Sequence, residues 1–538
     1  MHGIKPLLWR QAGDWYRLAY LAAVGCFIWS AALCYVPRKG FTGLIHFGGN
    51  PSLHRIRELG SVDYSVDKDT YGYDGQYYAQ LAVKPLLRSR DLRVAEDNLP
   101  YRARRILFSW TAYGLGLGRP WLVLQAFALH NILCWVLLAW LATRWFPPTS
   151  LDNLVRWLGV MFSWGMTISV HSALMDGPSL LLIAIGVMLA EKGRRWASAC
   201  VLGVAGLGRE TNVLAAVSHL PGRDWSRREV LAAAGRGIVI IAPLALWGAY
   251  LWWVFREPSN AGSRNFDLPF RAYYAKWAAV VHDLRVNGWT FVPRWTLLMM
   301  VSLTVQFLAI VACPRWTDRW WRIGAAYAVL MAFLGDAVWE GYPGAAARVI
   351  VPMTMAFNVI APRGRWWWAV LVLGNLSALS AVNQLTPLRG EAFRIEGPTE
   401  VWSAPAHRSL EVIFDDGWYQ SERSSLEYWR WSRGSAGIVI NNPQAVPVEI
   451  ELDFDLRAID PRTVRVYQGT TLRWAGLVGR ESAEVRLPHL RLDPGDNPWN
   501  FEVEGPPSRP GGDAIRPVTF NLRNLVIRAQ RKLDAPPP

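Results

Sequence analysis

Apolar and polar positions divide this chain into two unlike halves. From residue 15 to residue 385 long apolar runs follow one another, separated by short polar or basic stretches. From about residue 408 the pattern changes to short runs in which apolar and polar residues alternate. The first pattern predicts membrane-spanning helices, because about 20 apolar residues at 1.5 Å each cross a hydrocarbon core of ~30 Å. Candidate spans are 16–36, 105–118, 120–143, 155–174, 178–190, 196–218, 230–254, 291–313, 321–339, 345–361 and 366–385, about ten or eleven in all. The second pattern includes LEVIF (410–414), GIVIN (437–441), VEIELDFDL (448–456) and VTFNLRNLVIRA (518–529). Its period of two predicts an all-β sandwich or jelly roll of about seven or eight strands. The expected organisation is a transmembrane domain over 1–385 with a large first outer loop (37–104), a linker at 386–407, and an exported β-sandwich domain over 408–538.

Charge orients the first half. Arg10 and Arg17 flank the start of the first run, and no small-residue cleavage site follows it, so it reads as an uncleaved anchor. The basic loops PGRDWSRRE (221–229), PRWTDRWWR (314–322) and PRGRWWW (362–368) face the cytoplasm by the positive-inside rule. EKGRRW (191–196) asks for the same side, which requires a broken or re-entrant segment between it and 221. Everything after 386 is then outside. The net charge of +15 comes mainly from arginine in loops beside lipid headgroups, and no nucleic-acid partner is needed to explain it. All five cysteines lie in apolar runs, so neither a disulfide framework nor a thiolate metal site is expected.

Chemistry concentrates in the first outer loop. In GYDGQYYAQLAVKP (72–85), Tyr73, Tyr77, Leu81 and Lys84 recur at helical spacing, which predicts a short helix lying in the membrane interface, with Gln76 beside them. Asp74 begins it, either as an N-cap or as a fixed, ionised general base. Downstream, YRARRILFSW (101–110) places Arg102, Arg104 and Arg105 at the head of an apolar run. These either snorkel to the interface or bind a phosphate. Further ionisable residues interrupt apolar runs: Asp176 in MDGPSL, Arg209 and Glu210 in GRETN, and Asp336, Glu340 and Arg348 in LGDAVWEGYPGAAARVIVP. Such groups pair, as Arg209 with Glu210 or Arg348 with Glu340, or line a wet cavity. His171 alone reads as a core histidine. In the C-terminal half Trp418, Tyr419, Glu422, Trp429 and Trp431 are either sandwich core or a surface for stacking on sugars.

GYDGQYYAQLA, YRARRILF, MDGPSL, GRETN and AAARVIVP resemble segments of the GT-C superfamily, polytopic glycosyltransferases that use polyprenyl-phosphate sugars, and in particular bacterial members assigned to cell-surface glycopolymer formation. The likeness covers residues 15–385 in organisation and these short pieces in sequence. It implies an inverting transferase of the bacterial cytoplasmic (inner) membrane, with a polyprenyl-phosphate-linked sugar as donor and a glycan or glycolipid as acceptor. Asp74 would be its catalytic acid-loop residue, and Arg102, Arg104, Arg105, Arg209 and Arg348 its phosphate ligands. Tyr73, Gln76, Tyr77, Lys84, Asp176, Glu210 and Glu340 are further pocket candidates. Many members carry an acidic pair in the first loop. Here Gly75 follows Asp74, and the nearest acids are Asp67 and Asp69, so no cofactor is expected, with a divalent metal left open. Two other functions share these features: a flippase or transporter of lipid-linked glycan, and a non-catalytic envelope-glycan scaffold.

Overall fold

The computed structural model describes residues 6–36, 38–49, 53–67, 71–256, 262–289, 291–341, 344–384, 393–404, 408–419, 422–423, 428–508 and 517–533. Asp69 and residues 386–392 and 405–407 of the expected linker lie outside them, as does the side chain of Glu422. The chain forms two compact units: Met1–Phe47, Pro51–Ser65 and Gly72–Leu388, and Gly48–Asn50, Val66–Tyr71 and Arg389–Pro538.

The first unit is helical. The elements that matter for the site are α1 (Pro6–Ala32), α2 (Gly75–Val83), α3 (Pro120–Ala142), α4 (Trp164–His171), α5 (Asp176–Glu191), α6 (Arg195–Gly208), α7 (Arg227–Phe255), α8 (Phe291–Ala312), α9 (Arg319–Phe333) and α10 (Val351–Ile360). Among the described residues three helices are long and apolar enough to cross a membrane: α3, α7 and Val292–Ala312 of α8. A fourth arises if α4 and α5, bent by 119° at their junction, count as one span. This corrects the expected ten or eleven. The apolar runs exist, but several are divided among helices of 8–16 residues, about 12–24 Å long, which fall short of the hydrocarbon thickness.

One such division settles where the two basic stretches lie. The run 196–218 is no span. Helix α6 ends at Arg209, whose backbone is extended, and a 3₁₀ segment (Glu210–His219) runs back alongside it. Asn212 Nδ2 donates to the carbonyl of Ala205 at 2.8 Å, and Ser198 Oγ lies 2.9 Å from His219 Nε2. The re-entrant hairpin therefore has Arg209–Glu210 at its tip, with Arg195 and His219 together at its base.

The second unit packs two sheets face to face. Its strands are β1 (Phe393–Glu396), β2 (Glu411–Phe414), β3 (Glu422–Arg423), β4 (Tyr428–Trp431), β5 (Ala436–Asn442), β6 (Val448–Ala458), β7 (Arg462–Gln468), β8 (Thr471–Val478), β9 (Ala483–Leu492), β10 (Gly495–Val503) and β11 (Phe520–Lys532). One sheet runs β9-β6-β11-β4-β3, with β1 parallel to β11, and the other runs β8-β7-β10-β5-β2. Alternation puts Val448, Ile450, Leu452, Phe454 and Leu456 of β6 in the core against Val464, Val466, Trp499 and Phe501. The strands exceed the expected seven or eight because β1, β3, β4 and β8 are short or lack a clean apolar alternation.

Candidate functional site

The tyrosine-rich turn is held by its glycines. Gly72 has φ of +68°, which an L-residue adopts only at a cost. At Gly75 a Cβ would come within 2.5 Å of the Ser172 carbonyl oxygen and 2.7 Å of that of Ile45, so the start of α2 sits directly on two backbone segments. Eight of the nine residues of α2 are buried, Gln76 and Tyr78 among them. Helix α2 is thus an internal helix of the unit, not one lying on a lipid surface as its spacing suggested. Gln80 is accommodated by backbone partners, its Oε1 accepting from the Ile56 amide at 3.2 Å.

Asp74 occupies the N-cap position of α2, yet its side chain makes no capping hydrogen bond. Instead Arg102 Nη2 donates to Asp74 Oδ1 at 3.0 Å, and Arg348 Nη2 stands 3.7 Å from Oδ2. The side chain remains 34% exposed. Burial pushes this carboxyl up, but Arg102, Arg348 and Arg105 outweigh it and hold Asp74 below the usual carboxylate range.

From Asp74 the ion pairs extend across four elements. Arg102 also clasps Asp97, through Nε at 3.0 Å and Nη2 at 2.7 Å. Arg348, on the short helix Ala346–Val349, lies 3.6 Å from Asp176, which also pairs with Arg209 at the hairpin tip. Arg105 donates from Nε to Glu210 at 2.8 Å and through its other nitrogens to the hydroxyls of Tyr78 (2.9 Å) and Tyr101 (3.1 Å). The tyrosines also supply ring faces: Arg102 lies 4.8 Å from the Tyr77 centroid and Arg348 5.5 Å from that of Tyr73. Local sequence positions these groups. Asn98 caps the turn Leu99–Arg102 through the Tyr101 amide at 3.0 Å, and the bend between α4 and α5 presents Asp176 at a helix start, steadied by Ser169 Oγ accepting from the Gly177 amide at 2.9 Å.

Asp74, Tyr73, Tyr77, Arg102, Arg105, Asp176, Arg209, Glu210 and Arg348 therefore converge. The expected pairings do not hold: Arg209 meets Asp176 and Glu210 meets Arg105, since neighbours in sequence point apart on the backbone. Arg348 does not meet Glu340, which pairs with Arg264 at the surface. Lys84 lies away from the cluster, between Glu58 (2.9 Å) and Asp91 (2.6 Å). Asp336 is exposed at the start of its own short helix, and His171 is buried at the end of α4. Arg104 stacks on Tyr101 at 5.6 Å and makes no ion pair among the described residues. Asp97, Tyr78 and Tyr101 were missed by the sequence reading. The Asp97-Asn98 pair before Pro100 was the available signal, an acid and a cap immediately ahead of the arginines. No group of three or more His, Cys, Asp or Glu converges as a cation cage among the described residues.

In the β unit, Trp418 is core: 4% exposed, its Nε1 donating to Gly437 O at 2.9 Å, with Phe414, Phe501 and Phe520 around it. Trp418 is thereby removed from the sugar-contact candidates. Tyr419, Trp429 and Trp431 are half-buried, with Arg433 over the Tyr419 ring and Arg523 over that of Trp429, each at 4.8 Å.

The chain matches no protein-family model and no curated protein. Among solved structures it is similar to ArnT from Cupriavidus metallidurans, at 16% identity and TM-score 0.37 over 66% of this chain and 63% of that one. It is also similar to the arabinosyltransferase EmbB from Mycobacterium smegmatis, at 12% identity and TM-score 0.25 over 98% and 65%. A third, the Podospora anserina GH26-CBM35 β-(1,4)-mannanase, is 15% identical with TM-score 0.13 over 24% and 26%. The chain spans less than two thirds of each. With every TM-score below 0.5, the functional conclusion rests on the site.

Proposed function

We propose that this protein is a membrane glycosyltransferase that moves a sugar from a polyprenyl-phosphate donor to a hydroxyl of a cell-surface glycan or glycolipid, on the outer face of a bacterial cytoplasmic membrane. The observation that carries this is Asp74: a carboxylate not spent on its helix, one-third exposed, and embedded in arginines. The acceptor oxygen attacks the anomeric carbon from the face opposite the phosphate, the bond from that carbon to the phosphate oxygen breaks, and the acceptor proton passes to Asp74. Configuration inverts. The departing lipid phosphate is an anion that guanidinium groups can neutralise.

The phosphate ligands follow from how each arginine is held. Arg102 and Arg105 are fixed by short carboxylate bonds, whereas both contacts of Arg348 exceed 3.5 Å and Arg104 has no carboxylate. Among the described arginines of the site, Arg348 and Arg104 are the more loosely held and can turn a nitrogen to a phosphate. The β unit would handle the acceptor glycan, with Trp429, Trp431 and Tyr419 as its aromatic surface.

The test is transfer from a labelled polyprenyl-phosphate sugar. Asp74→Asn should lower turnover about 10²–10⁴-fold while donor accumulates outside. A flippase would instead trap donor inside, and a scaffold would tolerate the change. Near-wild-type transfer by Asp74→Asn overturns the assignment. Because arginines hold Asp74 ionised, wild-type activity should persist as pH falls through the ordinary carboxylate range near 3.9. Arg102→Gln should move the acid limb upward.

A further inference from the structure

At the base of the re-entrant hairpin, away from Asp74, lies a second charged cavity. It encloses about 350 Å³ and is lined by Arg195, Arg223, Arg236, Arg319, Arg322 and His219, with Asp224 and Glu229 as the acids. Some of these arginines have structural partners. Arg322 is committed to the carbonyls of Leu220 and Pro221, which end the 3₁₀ segment, and Arg195 pairs with Glu229 at 2.8 Å. Arg319 Nη1 donates to the Ser218 carbonyl, whereas Arg236 and His219 are not fully satisfied. Arg236 is 4% exposed, its nearest acid is Glu229 at 3.7 Å, and its Nε is buried without a hydrogen-bond partner. His219 is 3% exposed with Nδ1 buried and unpartnered. Burial, Arg195 and Arg322 all press the Arg319 guanidinium toward losing its proton.

Membrane orientation explains basic residues in solvated loops. It does not explain a guanidinium turned into a cavity, its Nε unmatched and like charges around it. An unpaired buried charge is costly, and planar guanidinium groups match phosphate oxygens. We propose that this cavity is a binding site for a phosphate group, separate from the Asp74 site, supplied either by an anionic lipid head group or by a free phosphate compound on the side where the basic loops emerge.

The experiment uses the full chain in nanodiscs and two probes. Inorganic pyrophosphate is titrated into phosphatidylcholine discs, and phosphatidylglycerol is counted by native mass spectrometry after mixed-lipid reconstitution. Two variants are compared with wild type: Arg223→Gln/Arg319→Gln, in which neither side chain is buried, and Arg236→Gln. The proposal expects one saturable site for at least one probe, weakened about tenfold or more in Arg223→Gln/Arg319→Gln while that variant keeps a single cooperative melting transition, and unaffected by Asp74→Asn. Loss of the pyrophosphate signal identifies a free phosphate compound; loss only of phosphatidylglycerol retention identifies a lipid head group. Binding of neither probe, or binding that Arg223→Gln/Arg319→Gln leaves intact, overturns the proposal even should Arg236→Gln fail to fold.

Discussion

At the tip of the Arg195–His219 hairpin, Arg102, Arg105, Arg209 and Arg348 meet Asp74, Asp97, Asp176 and Glu210. At its base, five arginines line a cavity in which Asp224 and Glu229 are the only acids among the described lining residues. Helix α6 separates the two clusters by about 20 Å, at 1.5 Å per residue over 14 residues. Both look alike in sequence, as basic residues bordering apolar runs, and they solve opposite problems. The matched cluster is a preassembled lattice: each arginine has an acid from another element, so the lattice fixes α2, α5, α6 and the Arg348 turn relative to one another. In the unmatched cluster the protein leaves positive charge unanswered.

That contrast can be broken from either side. The largest effect should come from Asp176→Leu. This carboxylate is 2% exposed and shared by Arg209 and Arg348, and removing it strands two partly buried cations, a loss of about 3–5 kcal/mol in equilibrium unfolding. At the other cluster, Arg223→Gln should stay within about 0.5 kcal/mol of wild type, since its side chain is exposed and neighbours like charges. Gly75→Ala comes next: a methyl pressed onto two carbonyl oxygens should lower stability by about 1–3 kcal/mol and reduce transfer by displacing Asp74.

A pH-dependent effect is expected at Glu96, whose oxygens are buried without a hydrogen-bond partner beside the lattice. Burial pushes its carboxyl well above the usual range, against the pull of Arg102. The folded state therefore keeps a proton that the unfolded chain releases near pH 4.3. Stability should fall as pH rises from there to the folded value. Glu96→Gln should remove that slope and melt slightly higher at neutral pH.

How much of this was legible beforehand differs by region. The long β strands announced themselves, because strict alternation has one structural meaning. In the helical unit the residue types of the lattice were legible: a carboxylate in a tyrosine turn, arginines ahead of an apolar run, and acids inside apolar runs. The partners were not. Arg209 next to Glu210 looks like a pair along the sequence, but only the doubling back of Glu210–His219 decides that one meets Asp176 and the other Arg105. Burial of α2 was hidden because a residue such as Gln80 reads as polar surface until backbone groups from elsewhere in the fold reach it. The count of spans failed for a related reason. Apolar composition reports burial, and a helix broken at Arg209 or bent before Asp176 can be buried without crossing anything.

The proposed chemistry is tested most directly by a density map of the full chain in nanodiscs with polyprenyl monophosphate. The phosphate should lie within hydrogen-bond distance of Arg348 or Arg104, with the Asp74 carboxylate open beside it and Arg102 still bound to Asp97. A map showing the lipid phosphate elsewhere, and Asp74 closed upon Arg102 and Arg348 with no ligand at hand, would contradict it.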